Sequence, residues 1–292
     1  MSIKDLRIEY FNKVDSLDFD LILEAVLKKP RAFILAHPEY EIPKFKIKNL
    51  KLKISRRIKH EPLAYILGHK EFYSLDFIVT RDTLVPRPET ELMTEEALDR
   101  ITHNAQRVTH VIDIGTGSGC IIITLAKILN KEPKTKNQKF FGIDISQKAL
   151  TVARKNAKSH GVENKISFLR GNLLEPVLKK LKIENLKLKI ILTANLPYLS
   201  PDQYNETAPE LKYEPKSALV AGENGMQYYI ELFGQIREWI KKSNTEVILL
   251  CEIDHRQVKI FRATAKNELP PHTFKIRKDA RCLDRLVGIE IK

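Results

Sequence analysis

Residues 108–119 read VTHVIDIGTGSG. Val108 to Ile114 is a β-branched, mostly apolar run of strand length. It ends in glycines at alternate positions: Gly115, Gly117 and Gly119. A helical run follows, starting near Ser118. A glycine-rich turn between a strand and a helix lets the backbone come close to a ligand, and the helix end points free N–H groups into the same space. Asp113, Thr116 and Ser118 share this turn. The pattern is that of a nucleotide-like cofactor site. Its spacing is G-x-G-x-G, not the G-x-G-x-x-G that cradles a pyrophosphate. A tight turn with packing glycines would produce the same letters, so the motif needs support from its surroundings.

The surroundings supply it. Strand-like runs recur at 139–145 (KFFGIDI), 165–170 (KISFLR), 188–194 (LKIILTA) and 245–253 (TEVILLCEI). Further helical runs start near Gln147, Glu223 and Arg256. Such alternation implies parallel strands joined by crossover helices. Two strands with no helix between them, 272–278 (HTFKIRK) and 285–291 (RLVGIEI), close the chain. The expected fold is α/β: a doubly wound, mostly parallel seven-stranded sheet with an antiparallel C-terminal hairpin, preceded by a small helical domain.

Asp144 ends the strand after the glycine loop, 25 residues past Gly119. A carboxylate there can accept hydrogen bonds from both hydroxyls of a ribose; capping the helix that follows is the plainer, lesser alternative. NAD and S-adenosylmethionine both fit these two motifs. The third separates them: ANLPYLS (194–200), at the carboxyl end of the fourth of these strands. A planar amide or aromatic amine has a delocalised lone pair and is a poor nucleophile. Two acceptors on its two N–H bonds would localise that pair and aim it. The Asn195 side-chain oxygen is one; the Leu196 carbonyl, held by Pro197, is the other. Tyr198 would stack on the flat group. A sulfonium donor needs no metal, so orientation and desolvation would carry the rate. A proline turn over a buried tyrosine is the plainer alternative.

Upstream, residues 2 to about 67 read as short helices. One starts at Ser16-Leu17-Asp18, with Leu17, Leu21, Leu23 and Val26 as its apolar stripe. Lys44 to Lys59 holds eight basic residues and no acidic one. It reads either as a solvated helix face or as a docking patch for an acidic protein or RNA. Lys179, Lys180, Lys182, Lys187 and Lys189 form a second cluster. EFYSLDFIVT (71–80) looks like a short hairpin, and LVPRPETEL (84–92) is a loop entering a helix, with Pro88 and Glu89 in its first turn. The domain boundary is placed near residue 80, giving units 1–80 and 81–292.

The chain has 292 residues, 43% hydrophobic and 30% charged, with 50 Lys+Arg against 37 Asp+Glu for a net +13. This is a globular composition with room for one or two domains. Val247–Cys251 is too short an apolar run to span a bilayer. The opening MSIKDLRIEYF holds no signal-peptide core. Cys120, Cys251 and Cys282 are too few and too scattered for a disulfide framework or a zinc site. A cytoplasmic, metal-free, non-membrane protein is expected.

DIGTGSG, Asp144 and NLPY, in this order, resemble a class I S-adenosylmethionine-dependent methyltransferase. Residues 60–92 resemble the signature of the HemK/PrmC family, as do 217–232 (SALVAGENGMQYYIEL), 249–253 (LLCEI) and 279–290 (DARCLDRLVGIE). The resemblance covers nearly the whole chain. It implies methylation of the side-chain amide nitrogen of the glutamine in the GGQ motif of class I peptide chain release factors. It further implies that Asp113 and Gly115 to Gly119 wrap the methionine part of the cofactor, that Asp144 holds the ribose, and that Asn172 and Leu173 flank the adenine. Asn195 to Tyr198 would hold the substrate amide, with Glu89 and Glu91 lining the loop above. The release factor would be the protein partner of a monomer that needs no nucleic acid. The family usually has proline where Leu196 stands, commonly Asp at Asn172, and glycine at Asp254. NLPY also occurs in rRNA adenine dimethyltransferases. The competing readings are therefore an adenine-specific RNA or DNA methyltransferase and a ribosomal-protein glutamine methyltransferase.

Overall fold

The structure, a computed structural model, describes residues 1–103, 108–132, 138–181, 188–243 and 245–291. These form two compact units. Lys182 and Lys187 of the second basic cluster lie outside the described residues.

The first unit comprises Met1–His69 and Ala208–Tyr213. Its helices are α1 (Ile3–Glu9), α2 (Ser16–Leu27), α3 (Arg31–Ala36), α4 (Lys44–Ile58) and α5 (Leu63–Leu67). The cap of α2 is Asp15, whose carboxylate accepts from Leu17 N and Asp18 N at 2.8 and 3.2 Å. Phe19, Ile22, Leu23, Val26 and Leu27 are buried, while Leu17 stays 46% exposed. Of the expected stripe, Leu23 and Val26 face the core, Leu21 is partly covered and Leu17 is not. The basic run lies on α4 and is largely engaged within the unit. Lys46 bonds the Leu27 carbonyl, Lys51 bonds Glu9, Lys53 bonds the Ile66 carbonyl, Arg56 bonds Glu61, and Arg57 bonds Asp18 and Glu210.

The second unit comprises Lys70–Thr207 and Glu214–Lys292. The hairpin β1 (His69–Phe72) and β2 (Leu75–Ile78) is followed by α6 (Glu91–His103), β3 (Val108–Ile114), α7 (Cys120–Leu129), β4 (Lys139–Asp144), α8 (Gln147–Ser159) and β5 (Ile166–Arg170). Then come α9 (Glu175–Leu181), β6 (Lys189–Ala194), α10 (Pro201–Asn205), α11 (Gln227–Lys242), β7 (Glu246–Glu252), α12 (Val258–Glu268), β8 (His272–Lys278) and β9 (Asp284–Ile291). The seven-stranded order is β5-β4-β3-β6-β7-β9-β8. Strands β3 to β7 pair in parallel; β9 is antiparallel to both β7 and β8. The last strand thus inserts between β7 and β8. Leu286, Val287, Ile289 and Ile291 of β9 are buried, whereas β8 alternates Lys275 and Arg277 with partly covered residues, a pattern suited to a sheet edge.

Side chains alternate across the sheet. Ile112, Ile114, Ile190 and Leu192 face a layer with Tyr229, Leu232, Phe233, Ile236 and Trp239 of α11. Val111, Phe140, Ile191 and Ile248 face the other, with Met93, Ala97 and Ile101 of α6 and most of α7. The hairpin belongs here and not to the N-terminal unit: Phe72 and Phe77 are buried in this second layer. Asn156 of α8 also pairs with both backbone groups of Ile78, at 2.8 and 3.0 Å. Helix α11 starts at Gln227, later than the pattern implies, because Gly222 and Gly225 adopt left-handed turns (φ +63° and +70°).

Phe77→Ala should cost the second unit about 3–5 kcal/mol through the cavity it leaves. Denaturant unfolding of the full chain checks this; a loss below about 1 kcal/mol would detach the hairpin from this core.

Candidate active site

Strand β3 is flanked by β4 on one side and β6 on the other, so the chain reverses its direction of winding there. Ligands of open α/β sheets bind beyond the carboxyl ends at such a point. A cavity of about 240 Å³ lies there in the second unit. Its walls come from residues 82–90, the glycine loop, the ends of β4, β5 and β6, and residues 215–218.

The glycine loop is built from beneath. Asp113 is 1% exposed. Its carboxylate accepts from Thr116 Oγ1 at 2.6 Å and Thr193 Oγ1 at 2.7 Å. Burial, helped by the charge of Asp144, pushes its carboxyl up to about 6, while the two hydroxyls pull it back. Gly115 has φ +71°, and a Cβ there would come within 3.2 Å of Leu196 Cδ2. Gly119 is the N-cap of α7 at φ +83°, and a Cβ would press on Ile123 at 2.7 Å. Asp144 accepts from Gly117 N at 2.9 Å and Ser146 N at 2.8 Å. The cap of α8 is Ser146, whose Oγ accepts from Ala149 N, so Asp144 is not spent as a helix cap. Burial raises the Asp144 carboxyl above its ordinary value.

Asn195 stands at the end of β6. Its Nδ2 donates to Thr90 Oγ1 at 3.2 Å and to Glu252 Oε2 at 3.1 Å. Thr90 Oγ1 donates to the same Glu252 oxygen at 2.7 Å. The Asn195 Oδ1 and the Leu196 carbonyl accept no hydrogen bond among the described residues. Tyr229 of α11 donates its hydroxyl to the carbonyls of Ala194 and Glu252, joining the ends of β6 and β7. Buried Glu214 receives Val85 N at 2.9 Å and the Arg87 guanidinium, fixing the 82–90 segment against 214–218. Cys120 also lines the cavity, but burial pushes its thiol up to about 12, so it is no nucleophile.

Of the residues singled out from sequence, Gly115, Thr116, Gly117, Ser118, Asp144, Asn172, Leu173, Asn195, Leu196 and Pro197 line the cavity. Five do not. Asp113 lies under the loop and Gly119 caps α7. Glu89 faces Arg281 at 3.7 Å, and Glu91 accepts from Tyr73 N at 2.8 Å. Tyr198 is not among the lining residues; burial and the nearby Glu252 charge push its phenol up to about 12, and Gln257 Nε2 holds its carbonyl at 2.8 Å. Thr90, Arg87 and Glu252 were not foreseen as site residues. The available signal for Glu252 was an acid closing the apolar strand run VILLC.

A PrmC N-terminal domain model matches residues 12–68, and a methyltransferase domain model matches residues 105–272. A release factor glutamine methyltransferase of Aliivibrio fischeri is 34% identical over 239 residues, covering 82% of this chain and 78% of that protein. One from Bacillus anthracis is 32% identical over 275 residues, 94% of this chain and 92% of its own length. The chain belongs to the release factor glutamine methyltransferase family. Among solved structures, the hMettl16 catalytic domain in complex with a MAT2A 3′UTR hairpin superposes with a TM-score of 0.54. It covers 81% of each chain at 14% identity, and this likeness speaks for the shared fold alone. Within the family's NPPY pattern, Leu196 is buried against Gly115 and retains the backbone carbonyl. Asp254, where the family often has glycine, caps the 3-10 turn His255–Gln257 by accepting from Arg256 N at 2.9 Å.

Gly225 reports on the Asn195–Tyr198 turn. A Cβ there would sit 2.0 Å from the Tyr198 carbonyl oxygen, whereas at Gly161, also at φ +70°, it would meet nothing within 4 Å. Gly161→Ala should cost about 1 kcal/mol and Gly225→Ala about 2 kcal/mol more. Equal losses in denaturant unfolding would refute the close approach.

Proposed function

We propose that the protein transfers a methyl group from S-adenosylmethionine to the side-chain amide nitrogen of the glutamine in the GGQ motif of class I peptide chain release factors. The observation that carries this reading is the Asn195 amide. Its Nδ2 is tied back to Thr90 and Glu252, its Oδ1 is left without a partner among the described residues, and Asn195 and Leu196 both line the cavity at the sheet's carboxyl edge. Two acceptors, that Oδ1 and the Leu196 carbonyl, suit a group that offers two N–H bonds and no charge. The family's members supply the substrate class.

The cavity residues fit the cofactor. The glycine loop is so close to Leu196 that a side chain at Gly115 would fill the cradle. Bound S-adenosylmethionine supplies an electrophilic methyl group on a sulfonium. Gly115 to Ser118 would take its methionine end, Asp144 the ribose hydroxyls, and Asn172 and Leu173 the adenine. Asn195 Oδ1 and the Leu196 carbonyl would hold the two amide N–H bonds of glutamine, with Pro197 restricting the turn. Leu84, Pro86 and Pro215 would cover the site from water.

The N-terminal unit would dock the protein substrate; Phe11 and Phe45 stand 71% and 81% exposed on it. A nucleic-acid substrate has less support, because five of the eight cations between Lys44 and Lys59 are engaged within their own unit. The three cysteines are free, as in a reducing cytoplasm, and we read the enzyme as a monomer acting there.

The test is transfer of a labelled methyl group to unmodified release factor, with ribosomal RNA in parallel. Label should appear on the GGQ glutamine and vanish when that glutamine is replaced; label on RNA alone would overturn the substrate. Asn195→Ala should abolish turnover while leaving cofactor affinity nearly intact. Asp144→Ala should weaken cofactor binding by about 1–3 kcal/mol. Because the Asp144 carboxyl is raised, acidification protonates it sooner than an ordinary carboxylate. Cofactor affinity, read by calorimetry, should fall on acidification, starting at a higher pH than an ordinary carboxylate would give, and this dependence should flatten in Asp144→Asn.

A further inference from the structure

A carboxamide presents a donor edge and an acceptor edge of nearly the same shape, and only its neighbours decide which faces where. At Asn195 the immediate neighbour, Thr90, does not decide. A hydroxyl can accept from Nδ2 or donate to Oδ1 equally well. The deciding group lies one step further back. Glu252 closes β7, is 4% exposed and forms no part of the cavity wall. Burial raises the Glu252 carboxyl above its ordinary value, while the Thr90 hydroxyl and the charges of Arg285 and Arg87 pull it back; in its ionised form the carboxylate only accepts. It takes the single hydroxyl proton of Thr90 at 2.7 Å, which leaves Thr90 able only to accept from Asn195. It also takes an Asn195 Nδ2 proton directly at 3.1 Å.

Arg285 and Arg87 act on Glu252 through their charge alone; their hydrogen bonds go elsewhere, Arg87 to Glu214, and Arg285 to Asp279 and the Ile253 carbonyl. Among the described residues the Glu252 side-chain hydrogen bonds go to Thr90 and Asn195, both on the cavity wall. A buried acid is costly unless its partners require it.

We propose that Glu252, through Thr90, is a positioning residue for methyl transfer: it imposes one direction on the Glu252–Thr90–Asn195 chain and so keeps Asn195 Oδ1 turned to the substrate nitrogen. The inference rests on the reading of Asn195 as the substrate acceptor. Without Glu252 the amide flips between two states, and the flipped state offers N–H to N–H.

The test compares the full-length protein with Glu252→Ala, Glu252→Gln, Thr90→Val, Asn195→Asp and the double variant Asn195→Asp/Glu252→Gln on unmodified release factor. Glu252→Ala should lower kcat about 10²-fold, the usual loss for a misaimed catalytic contact. KM for the release factor and cofactor Kd should stay within about twofold. Glu252→Gln, which keeps one acceptor oxygen, should fall between. Asn195→Asp sets two carboxylates against each other. Adding Glu252→Gln supplies a donor to the carboxylate introduced at position 195, and the double variant should regain at least about tenfold over Asn195→Asp. A purely structural Glu252 would show no such rescue.

A kcat for Glu252→Ala within about threefold of wild type overturns the proposal, as does a double variant no better than Asn195→Asp. If Glu252→Ala does not fold, Thr90→Val, expected to lose about tenfold in kcat, and the rescue comparison decide. A second readout needs no substrate: the Asn195 side-chain ¹⁵N–¹H pair should shift and broaden in Glu252→Gln, and an unmoved pair overturns the inference. Wild-type inactivity on release factor would sink the substrate reading instead, while the resonance test would still judge the positioning role.

Discussion

A single buried carboxylate, Asp113, holds the site together. It sits at the end of the central strand and receives one hydroxyl from the glycine loop and one from the neighbouring strand β6. A carboxylate out of water needs strong donors, and two short hydroxyl bonds provide them. Their geometric effect is larger than their number. They fix the glycine loop relative to Thr193, and Asn195 follows two residues later. The contact between Gly115 and Leu196 is then a consequence of how Asp113 ties its neighbours.

The other acids at this edge work the same way. Irregular backbone beyond the strand ends exposes N–H groups that no ladder satisfies. Asp144 takes those of Gly117 and Ser146, and Glu214 takes that of Val85. Glu252 takes side-chain donors instead, and so acts on orientation more than on loop path. A basic protein thus organises its site with buried acids, while its net charge of +13 is a property of its surface.

That contrast explains why the lysine run misleads when read as letters. Lys44 to Lys59 contains no acid, so sequence shows an uncompensated cationic stretch. The compensation comes from Glu9, Asp18 and Glu210 and from the carbonyls of Leu27 and Ile66, most of them distant in sequence from the cations they meet. The stripe of α2 has the same kind of cause: Leu23 and Val26 are buried as the pattern implies, but what α2 packs against covers Phe19, Ile22 and Leu27 and leaves Leu17 exposed.

What could be read without coordinates was whatever depends on local pattern. The seven strands appear within a residue or two of their expected bounds, because apolar periodicity and glycine turns act over short distances. The glycine loop, Asp144 and Asn195 converge because parallel crossovers bring strand ends to one edge. Pairing across the fold was illegible. The sequence showed a terminal hairpin but not that β9 enters between β7 and β8, since an inserted strand and an appended one have the same order of letters. It marked Glu89 and Glu91 for the loop above the site, although the Arg281 guanidinium and the Tyr73 N–H engage them elsewhere. It passed over Thr90 and Glu252, which lie 162 residues apart and become partners only when β7 is laid beside β6. The chain by itself determined which strands form and which loops carry the chemistry, because those follow from neighbours along the backbone. Only the tertiary structure decided which way an amide faces, because that depends on a proton held by a residue far along the chain.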